Sequence, residues 1–172
     1  PSTTNMCIGA TVTLNAGTAT GAGTITSYDW TGPNGFSAVT TGRSTSRVTT
    51  ATADGGVYSV SVTYPGLGCT SAKATSSSIT VNNLPTMVSI GVSPTTLCAG
   101  AVLSLTGNGA AGAGSLIRYN WSGPAGYSST TTTPVQLYTV PASSASGAYS
   151  VTATYTGTGC TSNPDASTAV TV

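Results

Sequence analysis

The sequence predicts an all-β chain folded as two tandem antiparallel β-sandwiches. Three observations carry this. The chain repeats itself: Trp30-Thr31-Gly32-Pro33-Asn34-Gly35-Phe36 recurs as Trp121-Ser122-Gly123-Pro124-Ala125-Gly126-Tyr127, an offset of 91 residues. The same offset takes Cys7 to Cys98, Tyr58 to Tyr149, Tyr64 to Tyr155, Cys69 to Cys160 and Val81 to Val172. Apolar residues alternate with period two, which is the signature of half-buried strands. Gly, Pro and Asn punctuate these runs where turns need fixed or positive φ. The repeat divides the chain into residues 1–82 and residues 83–172.

The first strand expected in the second copy is Thr86-Met87-Val88-Ser89-Ile90. Its counterpart would precede Pro1, so copy one is expected to lack a first strand or to receive one from outside. Next come Thr11-Val12-Thr13-Leu14 and Val102-Leu103-Ser104-Leu105, where alternation puts Val12 with Leu14, and Leu103 with Leu105, on one face. Gly- and Ala-rich loops follow at residues 15–23 and 107–114. The third strand carries Tyr28 and Trp30, or Tyr119 and Trp121, again two apart. Small sandwiches need one large anchor, and an aromatic buries about 150–250 Å². Trp30 and Trp121 are therefore expected in the core, with Tyr58 and Tyr149 beside them.

A variable middle follows, in which Val135, Leu137 and Thr139 alternate in phase with Ser44, Ser46 and Val48. The clearest strand is Val57-Tyr58-Ser59-Val60-Ser61-Val62-Thr63-Tyr64, repeated at residues 148–155. Tight turns then lead to Cys69 and Cys160, and the last strands end at Val81 and Val172.

Composition excludes several functions. Only seven side chains are charged: Arg43, Arg47, Lys73, Arg118, Asp29, Asp54 and Asp165. With no His and no Glu, Ser-His-Asp and Cys-His catalysis are excluded. The three Asp are not retained between copies, so catalysis and a calcium site are not expected; the bland reading of each is a turn or solvated strand position. A zinc site would need the four Cys together, and the repeat places them a domain apart. No metal and no cofactor is expected. A net charge of +1 without a basic cluster argues against nucleic acid. No apolar run approaches the ~20 residues that span a bilayer.

Asp54-x-Gly56-x-Tyr58-x-Val60, preceded by a third-strand Trp, resembles the tyrosine corner of immunoglobulin-like sandwiches. The longer string is Cys-x-Gly, Trp-x-Gly-Pro-x-Gly, Gly-x-Tyr-x-Val and Gly-Cys-Thr-Ser. It resembles the immunoglobulin-like and PKD-like tandem repeats of very large Bacteroidota surface proteins exported by type IX secretion. Gliding adhesins and filamentous surface proteins are built of such repeats. The resemblance implies two elongated immunoglobulin-like sandwiches of about seven strands, an extracellular place on the bacterial cell surface, and neighbouring repeats as partners. It implies a stalk or fibre segment of a secreted adhesin. The alternative is a glycan-binding accessory module of an adhesin or polysaccharide-degrading enzyme. Surface glycans would then be partners, with Phe36 and Tyr127 as contact candidates. Packing of those two rings against their own hairpin is the bland alternative.

Four Cys at repeat spacing in a secreted chain read as disulfides. The default pairs are Cys7–Cys69 and Cys98–Cys160. In the implied sandwich topology, however, Cys7 precedes its second strand, and Cys69 follows a strand running the same way. The two would lie about 20–25 Å apart, whereas a disulfide needs Cα atoms within about 7 Å. In a head-to-tail array, Cys7 would approach Cys160, and Cys69 and Cys98 would face adjoining modules. The inter-domain pair Cys7–Cys160 is preferred, with within-domain pairs and free thiols left as alternatives.

Overall fold

The computed structural model describes residues 4–19, 24–25, 27–64, 68–86, 89–108, 116–155 and 157–172. The chain forms two compact units, Pro1–Asn83 and Leu84–Val172. Both are all-β; among the described residues the only helix is single 3-10 turns between strands.

In the first unit the strands are β1 (Asn5–Cys7), β2 (Thr11–Asn15), β3 (Ser27–Thr31), β4 (Ser37–Thr40), β5 (Ser44–Val48), β6 (Ser59–Tyr64), β7 (Cys69–Thr70), β8 (Ala74–Thr75) and β9 (Thr80–Asn82). One sheet is ordered β4-β3-β6-β7, with β8 also on β6. A second sheet pairs β2 with β5, and β1 runs parallel to β9. The second unit contains β10 (Ser89–Ser93), β11 (Val102–Asn108), β12 (Leu116–Ser122), β13 (Ser128–Thr131), β14 (Val135–Thr139), β15 (Ser150–Tyr155) and β16 (Asp165–Ala166). Its sheets are ordered β10-β11-β14 and β13-β12-β15-β16.

Pairing repeats at the 91-residue offset. Trp30 lies opposite Val60 and Trp121 opposite Val151. Thr11 lies opposite Val48 and Val102 opposite Thr139. The parallel contact of Asn5 with Thr80 recurs as a bridge between Thr96 and Thr171. Each unit is thus an immunoglobulin-like sandwich in which the Trp strand and the Tyr strand are hydrogen-bonded neighbours. Alternation makes the layers: Val12 and Leu14 of β2 point into the core with Trp30 and Tyr58, and Leu103 and Leu105 join Trp121 and Tyr149.

Of the first strand expected in copy two, Thr86 lies in a β-bridge and Ser89 and Ile90 open β10; Met87 and Val88 lie outside the described residues. Ile90 and Val92 of β10 pack on the core. In β14, the alternating Val135 and Leu137 face solvent, and Val48 of β5 does the same. The inward phase belongs to Arg47 in β5 and to Gln136 and Tyr138 in β14. The reason is local: Arg47 and Tyr138 have partners inside, whereas β-branched Val fits a pleated surface on either face. The loops expected at residues 15–23 and 107–114 lie partly outside the described residues.

Candidate functional site

The Trp-x-Gly-Pro-x-Gly and Gly-x-Tyr motifs pack into one unit in each copy. The Tyr58 hydroxyl donates to the Asp54 carbonyl at 2.7 Å, and Tyr149 to the Ala145 carbonyl at 2.8 Å. This is a tyrosine corner: a side chain holds the turn four residues upstream. Gly32 lies beneath the ring. A Cβ there would sit 2.3 Å from Tyr58 Cδ1, and one on Gly123 would sit 2.4 Å from Tyr149 Cδ1. Pro33 then abuts Gly56 and Pro124 abuts Gly147, whose φ values of 136° and 138° few side chains tolerate. The indole nitrogens are satisfied as well, since Trp30 Nε1 donates to Thr40 Oγ1 at 3.0 Å and Trp121 Nε1 to Thr131 Oγ1 at 2.9 Å. All four anchors, Trp30, Tyr58, Trp121 and Tyr149, are buried.

Copy one adds a polar network that sequence reasoning missed. Asp54 sits in the 3-10 turn Thr52–Asp54, and it is fully buried there. Its carboxylate accepts from Asn34 Nδ2 at 2.8 Å, Thr50 N at 2.6 Å and Ala51 N at 3.1 Å, and pairs with the Arg47 guanidinium. Arg47 also donates to the Pro33 carbonyl at 2.8 Å and lies over the Phe36 ring. The Asn34 amide, then the Thr50 and Ala51 N–H groups and the Arg47 charge, hold the Asp54 carboxyl well below the usual carboxylate range; burial opposes them but loses. The arrangement fixes the 3-10 turn Thr52–Asp54 against the Gly-Pro hairpin and leaves no ionisable group open to a ligand. The signal that could have revealed it was an Asp, an Arg and an αL-prone Asn all confined to one copy.

The sequence-level candidates for glycan contact, Phe36 and Tyr127, are half-buried. Phe36 meets Tyr58 edge-on at 5.5 Å between ring centroids. Tyr127 lies 4.0 Å from Tyr138 and 5.6 Å from Tyr149. Both rings pack on their own corner.

Cys7 and Cys160 are each disulfide-bonded, and Cys160 is fully buried. Cys98 carries an exposed free thiol, and Cys69 is exposed. Among the described residues no three His, Cys, Asp or Glu side chains cluster as metal ligands. Among the described residues no helix is long and apolar enough to cross a membrane.

No protein-family model and no curated protein matches the chain. Solved structures do. It is similar to a run of titin domains at 14% identity over 98% of this chain and 61% of that one, with a TM-score of 0.49. It is similar to fibronectin(III)-like modules of Clostridium thermocellum CbhA at 12% identity over 95% and 86% of the two chains, with a TM-score of 0.45. It is also similar to an amphioxus IgVJ-C2 molecule at 16% identity over 98% and 99%, with a TM-score of 0.39. These are likenesses of fold alone; strand pairing and the two tyrosine corners make each unit an immunoglobulin-like sandwich.

Proposed function

We propose that this chain is a structural segment of the stalk or fibre of a large secreted bacterial surface adhesin or filament, of the gliding-adhesin type. Immunoglobulin-like and fibronectin-III-like domains are common structural or adhesion modules. The observation that carries the reading is the spending of every large aromatic of the repeated motifs on packing: Trp30, Tyr58 and Phe36 in one copy, Trp121, Tyr149 and Tyr127 in the other. These six rings are engaged by their own core and corner and are not free to serve as a stacking platform. The sparse charge also makes its contacts insensitive to salt. The chain's place is outside the cell, on the surface, with neighbouring repeats of the same chain or fibre as partners.

The same reading includes a Cys7–Cys160 staple between the copies. Its support is that these two of the four cysteines are disulfide-bonded while Cys98 keeps its thiol. Covalent closure of a long loop stabilises small modules by restricting their unfolded state. Non-reducing peptide mapping should yield one Cys7–Cys160 peptide, and a Cys7–Cys69 or Cys98–Cys160 peptide would end the staple reading.

The stalk reading is tested by immunogold labelling of intact source cells, together with an immunoblot of the parent chain. Labelled surface filaments and a parent many times longer than one 91-residue period are expected. A single pair of repeats beside a hydrolase domain would transfer the chain to the glycan-binding alternative.

A further inference from the structure

We propose that Tyr127 and Tyr138 form an oxidative modification site, at which a one-electron oxidant couples the two rings, carbon to carbon, as a dityrosine. The pair lies wholly within the second unit, and its chemistry is independent of the stalk reading.

Among the described residues these two rings make the closest aromatic contact, at 4.0 Å between centroids and 38° between planes. Aromatic pairs ordinarily sit about 4.5–7 Å apart. Two rings joined by an aryl–aryl single bond are no nearer centre to centre than Tyr127 and Tyr138. Coupling therefore needs the rings to rotate, and no further approach. Both side chains are half-buried, so an oxidant can reach them at the surface while the fold holds them against each other.

The neighbouring phenol is placed differently. Tyr149 lies 5.6 Å from Tyr127 and 6.1 Å from Tyr138, is fully buried, and donates its hydroxyl to the Ala145 carbonyl. The buried Tyr127 hydroxyl has no hydrogen-bond partner to fix it. In copy one the same two positions hold Phe36 and Arg47, a cation–π contact with no phenol to oxidise. The site is thus confined to copy two.

Tyr127 immediately precedes β13, and Tyr138 lies in β14. Among the described residues β13 pairs only with β12 and β14 only with β11, so they are edge strands of the two sheets of this sandwich. A bond between the rings ties one sheet to the other along that side. It also closes a loop, which narrows the unfolded ensemble.

The step balances with a peroxide as oxidant and a haem peroxidase as its activator, both supplied from outside the chain. Each phenol gives up one electron and its hydroxyl proton, leaving a radical shared between the oxygen and the ortho ring carbons. The radicals join at one ortho carbon of each ring. Each of those carbons then loses its hydrogen as a proton, and each oxygen regains one. The pair has lost two hydrogen atoms, and one hydrogen peroxide has become two waters.

The test treats the full chain, at high dilution, with hydrogen peroxide and a haem peroxidase, then reduces its disulfides and separates monomer from dimer. A monomer lighter by two hydrogen atoms, with blue dityrosine fluorescence, is expected, and its peptic digest should join Tyr127 to Tyr138. Tyr127→Phe and Tyr138→Phe should each abolish the monomeric cross-link; the first is a residue that copy one already carries there as Phe36. Tyr64→Phe should leave it intact. Dityrosine confined to dimers, a monomeric cross-link that survives either of the first two variants, or none under conditions that couple added free tyrosine would overturn the proposal. Calorimetry of the cross-linked monomer reads the tie between sheets: the copy-two transition should rise, and an unchanged or lower one would overturn that role.

Discussion

The corner of copy one is polar and that of copy two is apolar, on the same backbone. Asn34, Arg47, Thr50 and Asp54 stand where copy two has Ala125, Tyr138, Pro141 and Ala145. The substitutions go together for a physical reason. Removing the Asp54 acceptor alone would strand three donors and a buried charge. Copy two keeps only one of those donors, the Ala142 N–H: Pro141 has no N–H, Ala125 has no side-chain amide, and Tyr138 packs on Tyr127 instead of reaching for a carboxylate. Thr49, whose hydroxyl donates to the carbonyls of Cys7 and Ala10, is likewise replaced by the fully buried Val140. One fold therefore tolerates either a satisfied polar corner or an apolar one, and the unit of exchange is the whole set.

The largest effect should be common to both copies and would break the comparison if it were not. Trp30→Ala and Trp121→Ala should each destabilise their own unit by about 3–5 kcal/mol, read as loss of one of two calorimetric transitions. A variant that melts like the parent would place that Trp outside the core.

Next should come Asp54→Ala, which must harm copy one although copy two has Ala145 at that site. Adding Asn34→Ala, Arg47→Tyr and Thr50→Pro should restore part of the loss, and urea unfolding of the single and quadruple variants measures the difference. If the quadruple variant were the less stable, the set would not be the unit of exchange. Acid should separate the copies in the same way. The folded-state pKa of Asp54 lies below its ordinary 3.8, so its stabilisation is complete above that value and is lost as pH falls through it toward the folded pKa. Calorimetry at pH 7 and at about pH 3 should lower the copy-one transition and leave that of copy two nearly unchanged.

Smaller still, Gly32→Ala and Gly123→Ala should cost about 1–3 kcal/mol each by driving a methyl into the tyrosine ring; equal losses would show that the corner packs alike in both copies. The smallest effect should be favourable. Asn34 and Ala125 both adopt the left-handed region, at φ 51° and 52°, where Asn is tolerated better than Ala. Ala125→Asn should raise the stability of copy two by about 0.5–1 kcal/mol, seen as a small increase in its transition temperature.

The duplication, the strand class, the two Trp and two Tyr anchors and the tyrosine corner are all legible in the residues alone. All of these depend on period-two alternation or on a few residues at fixed spacing, which local backbone geometry reads directly. The remaining features rest on residues that meet across the fold. Gly32 looked like turn chemistry until Tyr58 lay over it, 26 positions later in the chain. Val135 and Leu137 alternate as a core strand would, yet they face solvent, because alternation sets the phase of a strand and not which phase is inside. Asp54 and Arg47 were two isolated charges until the 3-10 turn brought one carboxylate within reach of Asn34, Thr50 and Ala51. Burial without a partner would have been prohibitive for that carboxylate, and the partners come from three separate segments that no local pattern joins.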